Sequence, residues 1–282
     1  MKKTDPYIEF TKNLKCLLKK YPDLITMTLS NIFTMRLIGN KTHGDLAEIA
    51  IAEFINQYMY NYRSVHVGKD LYRAKTKEED IKIINEINQV EFPVSLKAYG
   101  NGPLQLSTDK SFQMFPRLGR ESDRITDKRR INTILKDPAF TDFKSVNVLP
   151  LIYNESKKLC NILIFDYDRA IAETASIVRE ESGRGRKHPV YRFYNAKGEY
   201  ICEVRYGDAM ANALQRGLWT HTERGFGYFD SLTQGWISYS HNPVLIKLFS
   251  NALVSSAKGH EEALKVIQRD IKKLKKESGL PV

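Results

Sequence analysis

Two short strand-like runs hold the residues best suited to catalysis. Asp80 opens the first run, and the second run, over 93–99, carries Lys97 among apolar residues. Because side chains alternate along a strand, Lys97 shares a face with Ser95. A lysine in such a place usually has an acidic partner, and Asp80 is the expected one. Carboxylate oxygens can hold Mg²⁺, and a lysine beside the metal can orient an attacking water. We therefore predict hydrolysis of a phosphate ester.

This segment resembles the PD-(D/E)xK nuclease superfamily and, within it, the type II restriction endonucleases. The resemblance spans roughly residues 43–110 and rests on Glu48, Asp80, the Ser95-Leu96-Lys97 tripeptide and Gln105. In that family a helix contributes a Glu, the first core strand an Asp, and the next strand an acid-x-Lys motif. The resemblance implies a restriction-endonuclease-like core and Mg²⁺-dependent cleavage of double-stranded DNA at specific sequences. It also places Gln105 among the expected DNA contacts.

Ser95 departs from the family pattern, because an acidic residue is expected at that position. Some restriction enzymes share this Ser-x-Lys variant and take the carboxylate from elsewhere. The resemblance implies that Glu48 supplies it here, with Glu79 and Glu91 as weaker alternatives. The implied metal ligands are therefore Asp80 and Glu48, and the implied catalytic residues are Asp80, Ser95, Lys97 and Glu48.

Each of these residues also has a purely structural interpretation. Lys97 could protect a sheet edge from aggregation, Asp80 could belong to a solvated run of charges, and Glu48 could be an ordinary exposed helix residue. Asp70 competes with Asp80 as a metal ligand. The acidic pair at 166–168 could bind a metal, although such a pair more often caps the following helix. Two histidines have two possible roles each. His43 and His188 could act as catalytic bases, or they could be capping or surface residues.

Helices are predicted at both ends of the chain, with strands between them. Asp5-Pro6 starts the first helix, since Asp caps free amides and Pro suits the first helical position. Three other helices are predicted over 24–38, 208–216 and 260–276. Two more are predicted to start near Thr42 and at Asn242-Pro243. The third helix carries one stripe made of Glu48, Ala52, Ile55 and Met59. A hairpin is predicted to turn at 195–198.

These elements predict an α/β protein with a central mixed β-sheet flanked by helices and an added C-terminal α+β region. We assign residues 1–178 to a nuclease core with N-terminal helices. We assign residues 179–282 to DNA recognition and dimer contact.

The second half carries two groups suited to DNA contact. A glycine-spaced basic loop can follow the phosphate backbone, which gives affinity without sequence information. Its basic residues are Arg184, Arg186 and Lys187. The predicted helix over 208–216 presents residues that suit base edges in the major groove, or that merely solvate the helix. They are Asn212, Gln215 and Arg216. The charged segment over 119–132 is an alternative contact, and Trp219 and Trp236 are predicted to be core residues.

The composition limits the class of protein. The chain has 282 residues, of which 42% are hydrophobic, and this excludes a mostly disordered polypeptide. Its net charge of +11 favours a polyanionic partner such as nucleic acid. The 3 cysteines lie far apart, which disfavours disulfides and zinc and favours the cytoplasm. No apolar stretch is long enough for a membrane helix, so we expect no membrane partner.

Three functions remain open at this point. A type II restriction endonuclease is preferred because half of the chain is left over for recognition. The alternatives are a structure-directed repair or recombination nuclease of the same fold and a non-catalytic DNA-binding regulator, although no helix-turn-helix stands out. Cutting both strands of a palindrome requires two active sites, so we expect a homodimer, with the last helix as a candidate contact. A companion DNA methyltransferase acting on the same site is also expected.

Overall fold

The computed structural model describes residues 5–35, 43–66, 80–100, 102–106, 113–141, 147–181, 188–206, 218–248 and 260–277. Its helices are α1 (Pro6–Lys20), α2 (Pro22–Thr34), α3 (His43–Tyr58), α4 (Met114–Leu118), α5 (Lys128–Leu135), α6 (Pro138–Thr141), α7 (Tyr167–Glu173) and α8 (His260–Glu277), with a further helical turn over 243–248. Its strands are β1 (Tyr62–His66), β2 (Ile81–Asn85), β3 (Glu91–Tyr99), β4 (Pro103–Leu106), β5 (Arg124–Ile125), β6 (Val148–Asn154), β7 (Leu159–Phe165), β8 (Ser176–Glu180), β9 (Val190–Tyr194), β10 (Tyr200–Arg205), β11 (Leu218–His221), β12 (Phe229–Ser231) and β13 (Ile237–Ser238).

The first sheet is mixed, as predicted. Within the described residues its strand order is β1-β2-β3-β6-β7-β12, and β13 also pairs with β7. Strands β1, β2 and β3 form an antiparallel meander, and β3 then pairs with β6 in parallel. A parallel pair requires a crossover connection, and the chain between β3 and β6 makes it through β4, α4, β5, α5 and α6. The protein is therefore α/β, with a mixed central sheet and helices around it.

A second, antiparallel sheet has the order β4-β11-β10-β9-β8-β5 in the part of the chain that the structure describes. It takes strands from both sides of residue 178, and the first sheet takes β12 and β13 from the C-terminal part. The boundary expected at residue 178 therefore does not separate the two sheets.

Each sheet has its own hydrophobic core. Helices α1, α2 and α3 pack on one face of the first sheet, where Phe10, Leu29 and Phe54 lie buried with Leu96. The inner face of the second sheet packs against α4, α5 and α6 and against the other face of the first sheet, which contributes Val148. The face of β3 that carries Ser95 is thus turned toward the second sheet.

Capping and turn residues correctly predicted where the first helix begins and where the hairpin turns. The Asp5 carboxylate accepts a hydrogen bond from the Tyr7 amide at 2.8 Å, and α1 begins at Pro6 as predicted. The hairpin between β9 and β10 turns through Gly198, whose φ of 78° suits glycine. The second helix differs from its predicted range of 24–38. In the structure α2 begins at Pro22 and ends at Thr34.

Candidate active site

Asp80 is fixed to strand β3 by hydrogen bonds. It lies immediately before β2, and its Oδ2 accepts from the Leu96 amide at 2.6 Å and from Ser95 Oγ at 2.9 Å. The Asp80 amide donates to the Val94 carbonyl at 3.2 Å. Hydrogen bonds to an ionised carboxylate are among the strong ones, and Ser95 is only 2% exposed. The structure therefore holds Asp80 against the segment that leads into Lys97.

Lys97 stands on a central strand of the first sheet. β3 is paired with β2 on one side and with β6 on the other, where Lys97 lies opposite Pro150. β3 is therefore an internal strand of the sheet, although its pairing with β2 ends at Val94 and Lys97 itself is paired only toward β6 in the described residues. Alternation along β3 follows the prediction, since Leu96 belongs to the first core and Tyr99 packs on the second. Lys97 is half-buried on the face it shares with Ser95 and Tyr99.

Glu48 lies at the same end of the first sheet as Asp80. Ser64 Oγ on β1 donates to the Ala52 carbonyl on α3 at 3.0 Å, so helix and strand run side by side in opposite directions. The N-terminal half of α3, with Glu48, is thus next to the end of β1. That end of β1 pairs with Ile81, the residue after Asp80. Glu48 is half-buried, so it is not an ordinary exposed helix residue.

Glu91 cannot replace the acid missing at Ser95. It is the first residue of β3 and forms an exposed ion pair with Lys82 at 2.9 Å. At about 3.3 Å per residue, Glu91 is roughly 20 Å along the strand from Lys97. Glu79 and Asp70 lie outside the described residues, so Glu48 is the carboxylate that the described part of the chain offers.

The other predicted metal site, at 166–168, is a helix cap. Asp166 Oδ1 accepts from the Arg169 amide at 2.9 Å and begins α7. Among the described residues, no three His, Cys, Asp or Glu side chains form a group that could hold a metal. The ring of His188 stacks on Tyr206, with centroids 4.4 Å apart, and the side chain of His43 lies outside the described part.

The predicted DNA contacts are only partly described. Gln105 is half-buried on β4 and pairs with Trp219 on β11, so it belongs to the second sheet and not to the strand of Lys97. The remaining predicted contacts lie outside the described residues; they are Arg184, Arg186, Lys187, Asn212, Gln215 and Arg216. The charged segment over 119–132 is largely paired with itself and its neighbours, since Glu121 binds both Arg117 and Arg130 at 2.7 Å.

The outer face of the second sheet carries a charged network that the sequence analysis missed. Glu203 on β10 is 1% exposed and accepts from Arg205 Nε at 2.6 Å and from Arg192 Nε at 3.3 Å. Arg192 also binds Glu180 on β8, and His221 Nε2 lies 4.0 Å from Glu203. Alternation was the available signal, because charged residues in β9 and β10 alternate with Tyr191, Phe193 and Val204, which are buried in the second core.

A cleft of about 430 Å³ opens beside the end of β3. Its lining residues are Gly100, Gly102, Ile152, His221, Thr222, Glu223, Arg224, Phe226 and Trp236. The prediction that Trp236 is a core residue is wrong, since 48% of it is exposed. The physical reason is its position just before the short strand β13 at the rim of this cleft. The side chain of Trp219 is outside the described part.

Comparisons of this chain with known protein families, with curated proteins and with solved structures found no match. In the described residues, no helix has the length and apolar character that crossing a membrane requires. All three cysteines are free; Cys160 and Cys202 are buried, and burial raises the pKa of the Cys160 thiol to about 12.

Proposed function

We propose that this chain is a Mg²⁺-dependent endonuclease that cuts double-stranded DNA at a specific sequence, as type II restriction enzymes do. The observation that carries the proposal is the attachment of Asp80 to the Leu96 amide and to Ser95 Oγ, directly before Lys97. This arrangement places the Asp80 carboxylate, at the start of β2, beside the segment of β3 that leads into Lys97. A network that only stabilised the sheet would not require a half-buried lysine on a central strand.

The order of the elements supports a restriction-endonuclease-like core. The helix with Glu48 comes first, Asp80 leads β2, and the next strand carries Lys97. This is the order of acid, acid and lysine that the family resemblance implies. The net charge of +11 is suited to a polyanionic partner.

The donor set around Asp80 suits Mg²⁺. The candidate ligands are the carboxylates of Asp80 and Glu48, which lie at the same end of the first sheet, and both hydrogen bonds that the Asp80 side chain accepts use Oδ2. Mg²⁺ prefers oxygen ligands and usually binds through one or two carboxylates together with water and phosphate oxygens. Two carboxylates are therefore sufficient, and Asp80 and Glu48 would hold the ion. When bound, it would neutralise the charge that develops on the scissile phosphate.

The protein residues divide the remaining work. Lys97 would donate a hydrogen bond to the attacking water and offset the negative charge that forms near it. Ser95 would keep the Asp80 carboxylate in one orientation, since its hydroxyl donates to Oδ2 at 2.9 Å. Ser95 therefore supports the acid rather than replacing it, and Glu48 supplies the second carboxylate.

Digestion of phage DNA by the purified chain, with Mg²⁺ or with EDTA, tests this function. We expect discrete fragments only with Mg²⁺. Asp80→Asn and Lys97→Ala should lower the cleavage rate at least about 100-fold while DNA binding persists, because both residues act on the reaction and not on base edges. Lys82→Ala is the matched control, since Lys82 is exposed on the neighbouring strand and should leave cleavage unchanged.

A pair of variants on α3 tests whether Glu48 supplies the second carboxylate. Glu48→Gln should be nearly as damaging as Asp80→Asn, whereas Glu53→Gln, an exposed position on the same helix, should have no effect. Cleavage by Lys97→Ala at the wild-type rate would refute the site. Cutting at branches instead of a sequence would indicate the structure-directed nuclease, and binding without cutting would indicate the regulator.

We also propose that the enzyme acts as a homodimer and that a DNA methyltransferase protects the same site. Each chain offers one Asp80–Lys97 pair, and a palindromic duplex presents two equivalent bonds. On α8, the apolar side chain of Ile271 is 41% exposed, so it is not fully buried by its own chain. This exposure makes α8 the candidate contact between the two copies.

A further inference from the structure

The cleft beside β3 has walls from both sheets. Gly100 follows β3, Ile152 belongs to β6, and the turn after β11 provides the opposite wall. The Tyr99 and Thr222 hydroxyls are 3.0 Å apart and join the two walls by a hydrogen bond. Gly225 fixes the turn in place, since a Cβ there would lie 2.8 Å from the Ile201 carbonyl oxygen. The turn that forms this wall is therefore packed closely against β10.

Two aromatic side chains at this cleft are largely open to solvent. Trp236 is 48% exposed and Phe226 is 46% exposed, and both line the same concavity. Exposed aromatic rings in a basic protein are suited to stacking with nucleic acid bases, which all present a π-face. The volume of about 430 Å³ lies in the range of small-molecule sites.

Polar groups in the cleft suit the edge of a planar heterocycle. Arg224 is exposed and its guanidinium lies 4.5 Å from the centroid of the Tyr200 ring. Burial, together with the charges of Arg205 and Arg224, lowers the pKa of His221 despite the nearby Glu203. A neutral imidazole offers one donor and one acceptor, and Glu223 adds a carboxylate acceptor. These groups match the mixed donors and acceptors of a base.

The position of the cleft connects it to the candidate active site. Gly100 comes directly after β3 and three residues beyond Lys97, a distance of about 10 Å along extended chain. A DNA strand whose phosphate lies at Lys97 would therefore have a neighbouring nucleotide within reach of the cleft.

We propose that this cleft receives one unstacked nucleobase of the bound DNA. The inference rests on the proposed function only in taking DNA as the ligand, and it does not depend on cleavage. Extrusion of a base into a pocket lined by aromatic and polar groups is a known way to read a nucleotide. Trp236 and Phe226 would stack on the base, while His221, Glu223 and Arg224 would contact its edge.

Binding of two short single-stranded oligonucleotides of equal length tests the proposal. One has random sequence, and the other has abasic sugars throughout, so that both carry the same phosphates. Trp236→Ala should weaken binding of the base-containing strand between about 5-fold and 150-fold, the range expected for one lost base–aromatic stack. Binding of the abasic strand should not change. Tyr60→Ala is the control, since Tyr60 is 95% exposed and is not among the lining residues of the cleft.

A second variant fills the cleft instead of removing a ring. Gly102 lines the cleft and a Cβ built there meets no atom within 4 Å, so Gly102→Leu adds a side chain at the cleft wall without a clash at its first carbon. It should reproduce the effect of Trp236→Ala, whereas Gly119→Leu, at an exposed helix end, should not. Thermal unfolding of each variant checks that it is folded.

The outcomes separate the two proposals. Unchanged binding of both strands by folded Trp236→Ala and Gly102→Leu would overturn the cleft assignment, even if wild-type protein cuts DNA. An equal loss for both strands would also overturn it, because the cleft would then contact phosphate. Wild-type protein that neither binds nor cuts DNA would overturn the proposed function itself.

Discussion

Replacing Glu203 by glutamine should destabilise the second sheet. Glu203 is 1% exposed and accepts from Arg205 Nε at 2.6 Å and from Arg192 Nε at 3.3 Å. Burial alone would raise the pKa of Glu203, but the hydrogen bond and charge of Arg205, with the charge of Arg192, outweigh it and hold the pKa below its ordinary value. The carboxylate is therefore ionised at neutral pH, and its stabilisation is lost only as the pH falls through this lowered value.

The size of the effect follows from the exposure of the two arginines. Breaking a buried ion pair by removing one partner costs about 3–5 kcal/mol. Arg192 and Arg205 keep side-chain exposures of 19% and 28%, and Arg192 retains Glu180, so part of their charge stays solvated or paired. We therefore expect Glu203→Gln to lower the free energy of unfolding by about 2–3 kcal/mol. For a chain of this size, the melting temperature should fall by about 4–6 °C.

Urea unfolding at pH 7.5, followed by circular dichroism, measures this loss. Glu86→Gln is the control, because Glu86 is 49% exposed and 3.5 Å from the exposed Arg63. Such a surface pair contributes at most about 1 kcal/mol. If the free energy of unfolding of Glu203→Gln lies within about 0.5 kcal/mol of the wild-type value, the reasoning is refuted, because the buried charge would then give no net stabilisation.

Three further predictions concern the turn at Gly225, the pH dependence of stability and the proposed homodimer. Gly225→Ala should destabilise by about 1–3 kcal/mol in urea, since its Cβ would lie 2.8 Å from a carbonyl oxygen, whereas Gly227→Ala, with nothing within 4 Å, should be neutral. The folded state resists protonation of His221, whose pKa is lowered by burial, so stability should fall as the pH drops below about 6.5. His221→Gln should lose less of its melting temperature between pH 7.5 and pH 5.5 than wild type, and an equal loss would contradict this. If the proposed homodimer forms through α8, Ile271→Asp should shift it to a monomer in sedimentation, and a variant that stays dimeric would place the contact away from α8.

Part of the fold follows from local rules that are visible in the sequence. Asp5 caps the first helix, Asn242 Oδ1 accepts from the Val244 amide at the start of the turn over 243–248, and Gly198 closes the hairpin. Alternation along β3 likewise puts Lys97 and Ser95 on one face of the strand. These features depend on residues a few positions apart, so a single chain segment contains all the information.

The partners of these elements depend on the tertiary structure. The hydrogen bonds from Ser95 and Leu96 to Asp80, the place of Lys97 on an internal strand and the distance of Glu91 from it all follow from strand pairing across the sheet. The sequence contained candidates for each role, but it could not show which of them lie close together, because a contact between distant segments is set by the packing of the whole chain.

The capped start of the first helix, the shared face of Ser95 and Lys97 and the excess of positive charge can be read from the order of the residues, whereas the three helices over 114–141 were not predicted from it. The burial of Glu203 between arginines and the exposure of Trp236 at a cleft between the two sheets became visible only in the folded protein. Burial is a property of the surfaces that meet in the folded protein, and those surfaces are brought together here by strands far apart in the chain.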